Sequence, residues 1–203
     1  MPDIEIIHIL EAVATGRLSP ADAHEAVLRQ TAKGGYAELG HTKVDLDRRR
    51  RRGVPEAVFA ANKTPEQVLE IASRIDAAGQ NVICTRVPAE TADFVRAARP
   101  DIEHHPAARM LTKRNEPRPA DVLGTVLVIS AGTSDIPVAE EAALSADMMG
   151  SPVERIHDVG VAGIHRLFGS TTEKLQAARV VIVCAGMEGA LPSVVAGLTA
   201  APV

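Results

Sequence analysis

Aromatic side chains are nearly missing from this sequence: Tyr36, Phe59, Phe94 and Phe168 are the only ones, and there is no tryptophan. With 46% apolar residues over 203 positions, the interior must be filled by Ala, Val, Ile and Leu, the usual filling of layers in which Ala/Leu helices cover β-branched strands. Cysteine is scarce too. Cys84 and Cys184 each lie inside an apolar run, where a thiol acts as a small buried hydrophobe. A disulfide framework is excluded, and a reducing, cytoplasmic setting is expected. No stretch approaches the roughly 18 apolar residues of a membrane span, and the first 16 residues lack the basic flank and unbroken apolar core of a secretory signal. Net charge is only −4, but unevenly spread: 18 basic and 17 acidic residues precede Asp121, while 4 and 9 follow from there on. An acidic C-terminal half argues against a nucleic-acid surface there.

A chain of this length accommodates one large domain or two small ones, and the punctuation favours two. Apolar residues recur at helical steps from 4 to 14 and stop at Gly16; Ser19 as N-cap and Pro20 in first position then open a second helix to about residue 31. The pair reads as a helical hairpin. Short extended pieces follow around the run Arg48 to Arg52, which reads as a solvated face, a nucleic-acid patch or an anion clamp; a role for one or two of these arginines at a ligand or subunit contact is favoured. Residues 56–60 form a buried strand, Thr64-Pro65 caps a helix ending at Gly79, and residues 82–87, 88–98 and 102–110 continue the alternation as strand, helix and strand. That predicts a small βαβαβ unit. Lys63-Thr64 lacks the glycine spacing of a phosphate loop and is read as the helix cap.

Pro117 and Pro119 bracket a polar linker, so the division falls at 1–118 and 119–203. Beyond it, strands at 124–129, 153–158 and 180–184 each lead into a loop and a helix. Three such units in succession require right-handed crossovers and a parallel sheet, whose ligands bind beyond the carboxyl ends of the strands. The first loop, Gly132, Thr133, Ser134 and Asp135, sets a glycine and two hydroxyls at a helix N-terminus, where amides and dipole suit a phosphate; the same residues also serve as a plain helix cap. In the second loop, Asp158 follows its strand directly, with His165 and Arg166 one turn on. His165 is either an acid/base or a surface histidine. The third loop, Gly186-Met187-Glu188-Gly189, permits close backbone approach and carries either a solvated carboxylate or a ligand contact. His104-His105 has no organised partner set, so no metal site is expected.

These segments resemble a known family. GTSD after the first strand and AGMEGALPSVVAGL from the third are similar to the loops of PurE-type phosphoribosylaminoimidazole carboxylases, whose patterns are GSxSD and AGGAAHLPG. The likeness to the LarB family is closer, running through AGTSDIPVAEEAA, ERIHDVGVAGIHRL, LDRRRRRGVPEAVFAANKTPEQV and CTRV. The resemblance implies an α/β protein: a small N-terminal helical hairpin plus α/β domain, then a PurE-like (flavodoxin-like) parallel three-layer αβα domain. It also implies an enzyme that carboxylates the pyridinium ring of nicotinic acid adenine dinucleotide and cleaves its phosphoanhydride to release AMP, on the way to a nickel-pincer nucleotide.

Carried over by position, Asp158, His165 and Glu188 are catalytic, and Gly132, Thr133, Ser134, Asp135, Arg166, Gly186, Met187 and Gly189 bind substrate. No tightly bound cofactor is implied; CO2 or bicarbonate is the co-substrate, with Mg2+ as an accompanying ion, and the protein is a homo-oligomer between dimer and octamer with neither nucleic-acid nor membrane partner. The LarB family uses a cysteine that adds to the ring. Here the chain stops at Ala201-Pro202-Val203, where the family continues through another strand to that cysteine, so the catalytic domain is expected to be C-terminally truncated. Two other readings stay open: a purine-pathway carboxylase, weakened by Ala190 where PurE has histidine, and a non-catalytic nucleotide-binding module.

Overall fold

Local punctuation sets the first helices. The structure, a computed structural model, describes residues 3–32 and 35–203. Helix α1 (Asp3–Ala14) ends before Gly16, which takes the left-handed φ of 71° that its position requires. Helix α2 (Pro20–Ala32) starts on Ser19, whose Oγ accepts the Asp22 amide at 3.1 Å and donates to the Asp22 carboxylate at 2.6 Å. The two helices pack on each other. Strands β1 (Ala37–Glu38) and β2 (Lys43–Val44) then form a two-stranded antiparallel ladder.

The arginine run is neither extended nor a free basic patch. It forms a short helix, α3 (Arg48–Arg52), closed by Gly53 at φ 75°. Arg50 and Arg51 clamp Asp47, Arg51 also reaches Asp45, and Arg49 pairs with Glu116 across the chain. The Arg50 hydrogen bond, joined by the charges of Arg50 and Arg51, holds the Asp47 carboxyl below its ordinary range.

A four-stranded sheet follows, ordered β3-β4-β6-β5. Strand β3 (Val58–Phe59) runs parallel to β4 (Val82–Thr85), joined by α4 (Pro65–Ala77). The start of α4 is a reciprocal capping box: Gln67 N–H donates to Thr64 Oγ1 at 3.3 Å and Thr64 N–H to Gln67 Oε1 at 3.1 Å. Helix α4 buries Val68, Ile71, Ala72 and Ile75, and α5 (Ala89–Ala98) buries Ala92 and Val95 in the same core.

The βαβαβ expectation fails after α5. In place of one strand over 102–110 there are two, β5 (Glu103–His105) and β6 (Met110–Lys113), paired antiparallel, and β6 slots between β4 and β5. Pro106 has no N–H with which to extend a ladder, and Arg109, at φ 50°, donates its amide to the Pro106 carbonyl at 3.1 Å to close the turn.

The expected linker has no regular structure from 114 to 125, yet it is fastened at several points. Arg114 and Arg118 both pair with Asp147. Buried Asn81 accepts the amides of Asn115 and Glu116 at 2.8 and 2.9 Å and donates to the Met148 carbonyl at 3.0 Å.

The last sheet is fully parallel, ordered β8-β7-β9, from β7 (Val126–Ser130), β8 (Val153–Ile156) and β9 (Val180–Cys184). A 3-10 turn (Thr133–Asp135) leads into α6 (Ile136–Met148), with Pro137 in its first turn and Gly150 at φ 104° after its end. Val128 meets Ala139 and Ala143 of α6 on one face. On the other, Leu127, Ile129 and Val181 pack with Leu167, Leu175, Leu191 and Val195, contributed by a 3-10 segment (Val161–Leu167), α7 (Ser170–Ala177) and α8 (Leu191–Ala196). Three αβα layers result, as alternation of apolar strands and helices demands. The 161–167 segment is not an α-helix because Gly163 has non-helical dihedrals inside it. Beyond β9, the Pro202 carbonyl accepts the Val181 amide at 2.9 Å.

Helix α6 serves both sheets. Its Leu144 and Met148 pack with Ile83 and Met110 of the four-stranded sheet and with Ala108 of the turn between β5 and β6, and Glu141 pairs with Arg86 at 2.7 Å.

Candidate functional site

With the first strand central and later strands added on either side, the chain leaves β7 toward one face of the sheet and leaves β9 toward the other. A crevice opens between those two loops, where a parallel sheet places its ligands. Asp135 spans it. Its Oδ2 accepts the Gly132 amide at 2.9 Å and its Oδ1 accepts the Gly186 amide at 3.0 Å, so one carboxylate ties the first loop to the third. Gly186 permits the approach: a Cβ there would stand 3.2 Å from Asp135 Oδ1. The Ala131 amide adds a bond to the Cys184 carbonyl at 2.9 Å.

The second loop is tied to the first through its backbone. Val159 and Gly160 donate to the carbonyls of Ser130 and Ala131 at 3.2 and 2.8 Å. Gly160 is required there, since a Cβ would sit 2.9 Å from the Ala131 carbonyl oxygen. Asp158 takes a left-handed φ of 59° and pairs with Arg166 at 2.9 Å; Arg166 also reaches the carbonyls of Gly163 and Gly160 at 3.3 and 3.5 Å.

The sequence-predicted residues therefore divide. Gly132, Asp135 and Gly186 are joined directly, and Asp158 joins Arg166. Thr133 and Ser134 stand exposed on the first turn before α6, where their amides have no intrahelical acceptor. Met187 is fully exposed with φ 45°, in a turn closed by the Gly189 amide on the Gly186 carbonyl at 2.9 Å; Glu188 is exposed beside it. His165 is exposed on the 3-10 segment while its neighbour Arg166 turns inward. Among the described residues no hydrogen bond or ion pair joins His165 or Glu188 to Asp158, whose side chain pairs with Arg166.

One residue of this edge escapes sequence reading. His157, directly after β8, places Nδ1 3.0 Å from Ser130 Oγ and Nε2 3.1 Å from Glu140 Oε1. Ser130 is fully buried, and its Oγ accepts the Asp158 amide at 3.4 Å. The consistent assignment has Ser130 O–H donating to Nδ1, leaving the proton on Nε2 for Glu140, which Arg155 also contacts at 3.1 Å. The string Ile-His-Asp at a strand end was the available signal.

Neither thiol is poised as a nucleophile. Burial pushes Cys84 up to about 12, and Cys184 is raised first by its half-burial and then by the carboxylates of Asp135 and Glu141. At neutral pH both stay protonated, and Cys84 in the native protein should react with a disulfide reagent roughly a thousandfold more slowly than a free cysteine. Because the folded pKa lies above the ordinary 9.0, the contribution of Cys84 to stability is intact below pH 9 and lost as pH climbs toward about 12. Denaturant titrations across that window check the sign: Cys84→Ala should flatten the alkaline decline, and an unchanged slope would contradict it.

Among the described residues no group of three or more His, Cys, Asp or Glu side chains is arranged to hold a metal ion, and no helix is long and apolar enough to cross a membrane. Residues 36–115 match the family described as the LarB/PurE-like N-terminal domain. Over 186 residues the chain is 35% identical to uncharacterized protein MJ0165 of Methanocaldococcus jannaschii, covering 88% of this chain and 73% of that relative. So long a similarity takes in strands of both the four-stranded and the three-stranded sheet, and with the family match in the first of them the chain belongs to the LarB/PurE-like family.

Proposed function

We propose that this protein is a LarB-type synthase: it adds CO2 to the pyridinium ring of nicotinic acid adenine dinucleotide and hydrolyses the phosphoanhydride, releasing AMP. The observation that supports this reading best is the Asp135 staple. It binds the first and third loops into one crevice and leaves the Thr133 and Ser134 hydroxyls and amides open at the start of α6, where a phosphate is favoured. The family's character as carboxylase-type enzymes supplies the reaction class. The helical hairpin, the division at 118/119, a homo-oligomeric state and a cytoplasmic setting belong to the same reading.

A pyridinium ring is electron-poor and does not attack CO2 unaided. A nucleophile must first add to the ring, giving an enamine-like carbon that bonds to CO2; loss of the ring proton and expulsion of the nucleophile then restore aromaticity. Cys84 and Cys184 do not suit that step, and the resemblance assigns it to a cysteine that neither of them supplies. Thr133 and Ser134 hold phosphate, and Arg166, poised between Asp158 and two loop carbonyls, receives a carboxylate of the ring. His165 and Glu188 are the proton-handling groups at the crevice mouth. Mg2+ accompanies the substrate phosphates, and no step is assigned to it.

The test is incubation of the protein encoded by the whole gene with the dinucleotide, labelled bicarbonate and Mg2+. AMP and a ring product carrying the label are expected together, and the absence of both rejects the synthase. Thermal stabilisation by the dinucleotide without turnover would instead favour a nucleotide-binding module. Rescue of a purine auxotroph would favour the purine carboxylase.

A further inference from the structure

A cavity of about 660 Å³ lies away from the three loops, between the carboxyl end of the β3–β4 pair and α6, lined by Phe59, Arg86, Val87, Pro88, Arg109 and Glu141 among others. Its volume is that of a site for a small organic ligand. Three features of it are unusual. Arg86 and Arg109 both take left-handed φ values, 54° and 50°, a conformation that strains any residue with a Cβ and that gathers at ligand sites. Phe59, one of only four aromatic residues, is 55% exposed at the end of its strand. Glu141 engages Arg86 at 2.7 Å, whereas the Arg109 guanidinium has no partner among the described residues. An exposed ring beside one anchored and one uncommitted guanidinium suits a ligand with a flat ring and a phosphate.

The cleft also lies at the right end of the molecule. β4 and α6 run antiparallel: Asn81 meets Met148 and Arg86 meets Glu141. Continuing past Arg86 leads toward the start of α6, where Asp135 closes the three-loop crevice. Glu141 is six residues from Asp135, about 9 Å along a helix at 1.5 Å per residue.

We infer that the cleft formed by Phe59, Arg86, Arg109 and Glu141 binds the second nucleoside-phosphate half of the dinucleotide, stacking its base on Phe59 and pairing its phosphate with Arg109. This rests on the dinucleotide reading above. AMP alone, titrated into the protein by calorimetry, should bind saturably. Arg109→Gly, which suits the left-handed backbone and so keeps the fold, should weaken AMP about tenfold or more. Phe59→Ala, at an exposed position, should weaken it severalfold, and Ser134→Ala should leave it within about twofold. Adenosine or inorganic phosphate alone should bind far more weakly than AMP. No saturable AMP binding, or binding lost in Ser134→Ala and kept in Arg109→Gly, overturns the inference. AMP binding that depends on Arg109, with no ring carboxylation by the whole-gene protein, leaves the cleft standing and removes the reaction. Turnover whose KM ignores Arg109→Gly removes the cleft and leaves the reaction.

Discussion

Under the synthase reading proposed above, Asp135→Ala is expected to reduce AMP release from nicotinic acid adenine dinucleotide by about two orders of magnitude while lowering Tm by only a few degrees. The two effects separate because the Asp135 bonds hold loops, not core. Removing the carboxylate frees the Gly132 and Gly186 amides. Both lie at partly or fully exposed positions, where water can replace the lost acceptor at about 1 kcal/mol each. The crevice, however, loses its only side-chain tie between the first and third loops among the described residues. A shift of about 1 Å in the groups that orient the reacting atoms is enough for a hundredfold loss. Asp135→Asn should fall between wild type and alanine, since its carbonyl oxygen can keep one of the two amides while its NH2 opposes the other. Steady-state AMP release, read beside a thermal melt of each variant, checks this. Turnover of Asp135→Ala within threefold of wild type would show that the staple does not shape the site.

What the sequence discloses follows from the range of the interactions involved. Thr64 with Gln67, Ser19 with Asp22, and Pro137 ahead of Gly150 are local devices, and the helices they bound stand where spacing predicts. β7 and β9 are unbroken β-branched runs in a parallel sheet covered on both faces, so they read as strands. The misreadings arise where local signals are short. β5 and β6 have three and four residues, and Pro106 alone marks the reversal between them. The arginine run carries a composition but no period, and its helix follows from Gly53 and the carboxylates of Asp45 and Asp47. At the site, Gly132, Asp135 and Gly186 are legible as loop residues, but the bond between Asp135 and Gly186 spans 51 positions and has no spacing to announce it. His157 stays hidden for the same reason, its partners Ser130 and Glu140 lying 27 and 17 residues away. The left-handed backbones of Arg86 and Arg109 have no signature at all, because arginine is not a residue that predicts them.

Asn81→Ala should give the largest loss of stability outside the apolar cores, about 3 kcal/mol, or roughly 6–12 °C in Tm for a chain of this size. Asn81 is 2% exposed and makes three hydrogen bonds: its Nδ2 donates to the Met148 carbonyl at the end of α6, and its Oδ1 accepts the Asn115 and Glu116 amides. One side chain thus joins the start of β4, the end of α6 and the segment between the two sheets. Alanine leaves a buried carbonyl and two part-buried amides without their side-chain partner, and each such group costs about 1–3 kcal/mol if it stays dry. Asn115→Ala is the matched control. Asn115 is exposed, its Nδ2 bonds to Asp76 and Gln80 are water-accessible, and its backbone amide can still reach Asn81; it should cost no more than about 1 kcal/mol. Urea titrations of both variants read the difference directly. Equal losses would mean that the three buried bonds are no stronger in effect than a surface pair, and that α6 is held to the four-stranded sheet by the packing of Leu144 and Met148 on Ile83 and Met110 rather than by Asn81.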